Sequence, residues 1–143
     1  METDRSPTAA RLRLSLVPLV RRLRQHNDEG MTANHVAALS TVLRLGPVTL
    51  GELAEAEHVS APMITKIARS LEGEALVTRV VDATDRRVHR LEITPLGRRR
   101  LEQGRRRKNA WLADRLATLT PDELATLEAA LPLLERLGQE PGR

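Results

Sequence analysis

The chain has no cysteine, no phenylalanine and no tyrosine, and its only aromatic of that group is Trp111. Without thiols it can form no disulfide, run no thiol-oxidation switch and offer zinc no cysteine ligand. So little aromatic surface argues against stacking on single-stranded bases and against an RNA-recognition sheet. No apolar run approaches the roughly 20 residues needed to span a bilayer. The opening METDRSPTAA lacks the charged-then-apolar order of a secretory signal. A soluble, cytoplasmic protein with no membrane partner is expected. Glycine loops that cradle phosphates and nucleophile elbows are also missing. The four histidines (His26, His35, His58, His89) are scattered with no His-x-x-x-His spacing. An enzyme is therefore not expected, and no cofactor is assigned.

What remains is a core of Leu, Ala and Val in a chain of 143 residues that is 41% apolar, enough for one compact unit. The net charge of +4 is modest, but it is unevenly spread. Residues 60–107 carry twelve Lys/Arg against six Asp/Glu, a surplus of six, while the remainder has eleven against thirteen. A positive segment suits a polyanionic partner, and suits equally an arginine-rich solvated surface.

Leu12, Leu16, Leu19 and Leu23 recur at helical spacing and predict a first helix starting near Pro7 or Thr8, with Pro18 inside it and Asn27-Asp28-Glu29-Gly30 ending it. Thr32 caps a second helix, Ala33 to Leu45, which Gly46-Pro47 stops. Thr49-x-x-Glu52 is a capping box opening a short third helix. The turn at Glu57-His58-Val59 leads to Ser60, the cap of a fourth helix, and the pair forms a helix-turn-helix. The runs VTRVV and VHRLEI flank the polar DATDRR and predict a hairpin. Thr94-Pro95 starts a fifth helix reaching roughly Leu119, and Thr120-Pro121-Asp122-Glu123 starts a sixth, interrupted by Pro132. The expected fold is mainly α with a small β-hairpin, a winged helix-turn-helix with additional helices at both ends.

With Ser60 at the cap, Ile64, Ile67, Ala68 and Leu71 share the inward face of the fourth helix, and Pro62, Thr65, Lys66 and Arg69 lie on the other side. Lys66 suits a guanine edge or a phosphate, Thr65 a base or a phosphate, and Pro62 a thymine methyl. An ordinary amphipathic helix has the same pattern. Its place between a short capped helix and a hairpin favours a DNA reader. Arg86 and Arg87 lie at the hairpin tip, where a guanidinium suits a narrow minor groove. Asp85 beside them either pairs with Arg87 and fixes the tip or bonds its own backbone as a turn former.

Leu53-Ala54, Ser60, the helix to Leu71-Glu72, and Asp85-Arg86-Arg87 followed by Leu-x-Ile-Thr-x-x-Gly up to Gly97 resemble the MarR family of bacterial transcription regulators. The resemblance covers about Ala9 to Leu137. It implies one winged-helix domain over residues 1–143, with a DNA-binding lobe at 32–97 and dimerisation helices at 8–28 and 98–137. It also implies a homodimer on a pseudo-palindromic operator in double-stranded DNA, usually a repressor relieved by a small-molecule effector. By that match Pro62, Thr65 and Lys66 occupy major-groove positions and Arg86 and Arg87 minor-groove wing positions; the residue reading adds Ser60 and Arg69 of the same helix as DNA-binding and Asp85 as support for the wing. One departure is Gly73-Glu74-Ala75-Leu76, since many members have glycine immediately before the leucine.

The resemblance also implies an effector site between the dimer helices and the DNA-binding lobe, with Leu12, Leu16, His35, Leu39 and Trp111 as candidate walls. Each of these is equally explained as plain core. The triplets Arg98-Arg99-Arg100 and Arg105-Arg106-Arg107 either touch flanking phosphates or cover a solvated face. Two alternatives stay open. His58 with Glu55 and Glu57 is the best nucleus for a zinc-responsive regulator, although no metal ligand is assigned. A protein-interaction winged helix without DNA binding is the other, and Lys66, Arg69 and the wing arginines oppose it.

Overall fold

In the computed structural model, which describes residues 4–26 and 30–139, the described residues form six helices and one hairpin. They run α1 (Ser6–Gln25), α2 (Ala33–Leu45), α3 (Leu50–Glu57), α4 (Ala61–Gly73), β1 (Val77–Val81), β2 (His89–Ile93), α5 (Pro95–Leu116) and α6 (Pro121–Gly138). Two compact units divide the chain, Met1–Lys108 and Asn109–Arg143. No helix among the described residues is long and apolar enough to cross a membrane.

Local chemistry sets most boundaries. The hydroxyls of Thr32, Ser60 and Thr120 accept from the backbone N–H groups of His35, Met63 and Glu123, as N-caps must. Thr49 and Glu52 bond reciprocally, completing the capping box of α3, and Thr120 and Glu123 do the same for α6. The first helix begins earlier than its proline suggests, at Ser6; its N-cap residue Arg5 makes no side-chain cap bond, and Asp4 one residue further out takes the N–H of Ser6 at 2.9 Å. That bond holds the Asp4 carboxyl below its ordinary pKa. Helix α5 ends at Leu116, before the expected Leu119, and Thr118 closes the turn by donating its hydroxyl to Arg115 O at 2.7 Å. Both α1 and α6 run through their internal prolines, Pro18 and Pro132. The expected helix end at Asn27 to Glu29, and the chain end at Pro141-Gly142, lie outside the described residues.

The core of the first unit sits between α2, α3, α4 and the hairpin. Leu39, Leu53, Ile64, Leu71, Leu76 and Leu91 are fully buried there, and Leu101 joins them from α5. Burying a leucine contributes about 1.5–3 kcal/mol, so this cluster supplies most of the lobe's stability. The strands pair antiparallel with Val77 opposite Ile93 and Val81 opposite His89. A third segment joins them. Val48 exchanges both backbone bonds with Leu91, N to O at 3.0 Å and 2.7 Å, so the connection before α3 is stitched to β2. A single-pair bridge leaves no periodic trace in the residues around it.

In the second unit, Arg115 stacks its guanidinium over Trp111 at 5.5 Å. The apolar side chains Leu131, Leu133 and Leu137 of α6 are exposed.

Candidate nucleic-acid interface

Helix α4 turns its apolar stripe inward and its basic side out. Ile64, Ile67, Ala68 and Leu71 are buried, whereas Pro62, Met63, Lys66 and Arg69 are exposed. Among the described residues, no intramolecular hydrogen bond or ion pair engages the side chain of Lys66 or Arg69. Thr65 is half-buried and donates its hydroxyl to Ala61 O at 2.9 Å, which leaves the oxygen free only as an acceptor. Ser60 is committed to its cap, accepting from Met63 N at 3.3 Å.

Two Schellman turns hold this helix in place. In each, a residue in the left-handed conformation closes the preceding helix with a 6→1 and a 5→2 backbone bond. At the helix-turn-helix corner that residue is His58, φ 53°, with Val59 N donating to Ala54 O at 3.1 Å and His58 N to Glu55 O at 3.2 Å. At the end of α4 it is Ala75, φ 58°, with Leu76 N donating to Leu71 O and Ala75 N to Glu72 O, both at 2.9 Å. The family's usual glycine before the leucine corresponds to Ala75. The join of helix to strand therefore keeps the motif and accepts a strained alanine.

The Thr94-x-x-Gly97 segment locks the far side of the same corner. Thr94 receives the N–H of Gly97 at 3.0 Å and donates its own N–H to Leu76 O at 3.0 Å. A Cβ on Gly97 would lie 2.3 Å from that carbonyl oxygen and 2.8 Å from Ile93 Cγ1, so only glycine fits.

The hairpin loop is ordered by two aspartates. Asp85 accepts from the backbone N–H of Arg87 at 3.0 Å, and from its Nε at 3.2 Å, so ion pair and turn-forming bond coexist. Asp82 accepts from the Thr84 hydroxyl at 2.8 Å, from Asp85 N at 3.1 Å and from Arg90 Nε at 3.1 Å. These bonds hold both carboxyls below their ordinary pKa, led by Thr84 and then Arg90 for Asp82 and by Arg87 for Asp85. Arg86 is exposed and has no intramolecular partner among the described residues. Arg87 is also exposed, its side chain 91% accessible although Asp85 touches one edge of its fork.

Two arginines outside the predicted site, Arg90 and Arg79, tie the wing and the end of α4 to their neighbours. Arg90 reaches Asp82 on one side and Glu52 on the other, its Nη1 lying 3.3 Å from Glu52 Oε1. Arg79 grips Glu72 at the end of α4 through two bonds, Nε to Oε1 at 3.0 Å and to Oε2 at 3.1 Å. Charge and strand phase could have flagged both arginines, but nothing in the sequence names their partners.

The five candidate effector walls fare differently. Leu39 is a fully buried member of the core. His35 is half-buried with Nδ1 3.0 Å from the Thr32 hydroxyl, Leu12 is half-buried, and Leu16 is exposed on α1. Trp111 is half-buried in the second unit. None of them lines the cavity of about 80 Å³ between α2 and α5, whose walls include Val36, Ser40, Leu101, Arg100, Arg105 and Lys108. Among the described residues no group of three or more His, Asp or Glu side chains is disposed to hold a metal ion, so the zinc-responsive alternative has no ligand set here.

The sequence model of the MarR family matches residues 31–89. An HTH-type transcriptional regulator of Mycobacterium tuberculosis, MT0903.1, is 32% identical over 133 residues, 92% of this chain and 93% of that protein. The HTH-type transcriptional repressor MdtR of Bacillus subtilis is 30% identical over 108 residues, 76% of this chain and 68% of its own. A crystal structure of a Pseudomonas aeruginosa PA01 protein, described as a candidate transcriptional regulator, superposes with a TM-score of 0.85 at 34% identity, covering 97% of this chain and all of that one. Likeness of this extent reaches well beyond a shared motif, and by it the chain belongs to the MarR family of DNA-binding, non-enzymatic transcriptional regulators.

Proposed function

We propose that the protein is a repressor that binds a pseudo-palindromic operator as a homodimer in the cytoplasm and is released by a small anionic effector. The observation that carries the DNA contacts is the exposed set Lys66, Arg69 and Arg86, cations without intramolecular partners beside a helix capped at Ser60. Pro62, Thr65, Lys66 and Arg69 enter the major groove. There Thr65 offers an acceptor and a methyl group, since its proton is already given to Ala61. Arg86 and Arg87 enter the flanking minor groove, with Asp85 holding the tip. Repression is supported by the name of the Bacillus subtilis relative.

The dimer reading rests on the terminal helices, α1 (Ser6–Gln25), α5 (Pro95–Leu116) and α6 (Pro121–Gly138). No residue of α1 is buried, and its apolar side chains Leu14, Leu16, Val17, Leu19 and Val20 are all exposed; an apolar patch left so bare on an otherwise basic helix fits a partner surface. Two lobes on a two-fold axis read half-sites about 10 bp apart.

The effector reading rests on the cavity between α2 and α5. Arg100, Arg105 and Lys108 face it together with the apolar Val36 and Leu101. Burial, then the Arg105 and Arg24 cations, hold the Lys108 ammonium below its ordinary pKa. An anion there relieves that repulsion, so a small carboxylate is the fitting chemistry.

Selection of duplexes from a random pool tests the reading, repeated with small aromatic and aliphatic acids. The expected product is a two-fold repeat with that spacing, bound by a dimer in sedimentation and released by one class of acid. Enrichment of a single half-site, or a monomer at micromolar concentration, overturns the dimeric form.

A further inference from the structure

We propose that Glu52 is a positioning residue for the wing: through Arg90 it fixes the arginine tip at a set height beside the recognition helix. The proposal rests on the reading of Arg86 and Arg87 as DNA contacts. Glu52 sits in the first turn of α3 and belongs to its capping box, accepting from Thr49 N at 3.4 Å. A cap needs only one acceptor, and either glutamate or glutamine supplies it. The second role needs the charge. Arg90 Nη1 donates to both Glu52 oxygens, at 3.3 Å and 3.5 Å, across 38 residues of sequence.

The other end of that guanidinium continues into the wing. Arg90 Nε donates to Asp82 at 3.1 Å, and Asp82 in turn receives Thr84 and the backbone of Asp85, which holds Arg87. One unbroken chain of charge-assisted bonds thus runs from the first turn of α3 to the tip. The neighbouring residue of β2, Leu91, is bonded to Val48 just ahead of α3, so backbone and side chain pin the same two elements. With two carboxylates as partners, Arg90 is neutralised within the protein and has no charge left for a phosphate.

Simple electrostatics and positioning make opposite predictions for Glu52→Gln. Removing an acid from a DNA-facing lobe should tighten binding. Freeing Arg90 should loosen the tip, so ordering its side chains on binding weakens it, about two- to tenfold. The measurement is affinity and salt slope on the duplex that the protein selects from a random pool, with thermal unfolding as a check on the cap. The expected result is weaker binding, an unchanged melting temperature, and no further loss when Glu52→Gln is added to a protein that already carries Arg86→Ala and Arg87→Ala. Asp82→Asn should behave alike. If Glu52→Gln binds as tightly as the parent or more so, or if its loss adds fully to that of the tip variants, the positioning role is overturned. If the tip variants themselves bind like the parent, the wing reading fails first and takes this proposal with it.

Discussion

Thr94 donates its hydroxyl to the carbonyl oxygen of Ala75 at 2.6 Å, bracing from the start of α5 a residue that sits in the left-handed region. An alanine costs about 1–2 kcal/mol in that conformation, which glycine adopts freely. Part of that strain is offset by the smaller unfolded-state entropy of alanine. Ala75→Gly should therefore raise stability by about 0.5–1 kcal/mol, read as a higher urea midpoint with an unchanged slope. A lower midpoint would mean that the methyl group makes contacts worth more than the strain.

The opposite result is expected across the same corner. At Gly97 an added Cβ meets the Leu76 carbonyl oxygen at 2.3 Å, and a backbone atom cannot step aside. Gly97→Ala should cost about 1–3 kcal/mol by overpacking. Because the displaced parts are the start of α5 and the end of the α4 turn, circular dichroism should keep its helical signal while the thermal midpoint falls.

Lys66 and Arg86 are expected to differ in kind. Lys66→Ala should cost about 1–3 kcal/mol on the selected operator if it reads a base edge. It should then cost far less on random duplex. Arg86→Ala should weaken both and lower the salt slope by about one. Equal losses for Lys66→Ala on operator and random DNA would make it a phosphate contact.

The wing should hold its order throughout the neutral and mildly acidic range. Asp82 and Asp85 have folded pKa values below the ordinary 3.8, so their contribution is fully present above that value. It is lost only as pH falls through the lower, folded values. Amide resonances of Asp85 and Arg87, which bond to the two carboxylates, should stay fixed from pH 7 down to about 4 and move only below it. Movement near pH 6 would require another titrating group.

The helices were legible because caps are local. Thr32, Thr49, Ser60 and Thr120 each act within three residues, so the sequence contains the whole interaction. The outward set Pro62, Lys66 and Arg69 follows from helical phase for the same reason. Contacts between distant residues were not legible. Val48 with Leu91, and Glu52 with Arg90, join segments whose approach depends on the folded lobe. Asp4 was hidden by its place two residues ahead of the helix, outside the usual cap position. Leu39 marks another limit. A periodic leucine reads the same whether its face lines a cavity or fills a core, and only packing distinguishes the two.

The bond between Val48 and Leu91 also decides where this chain can tolerate insertions. A residue added between α2 and α3 would shift Val48 out of step with β2 and carry the wing with it. A residue added between Asp82 and Val88 would lengthen the tip and leave every strand pair intact. Relatives that came to reach farther along the duplex are therefore expected to have varied the hairpin loop, while the four residues 46–49 kept their length.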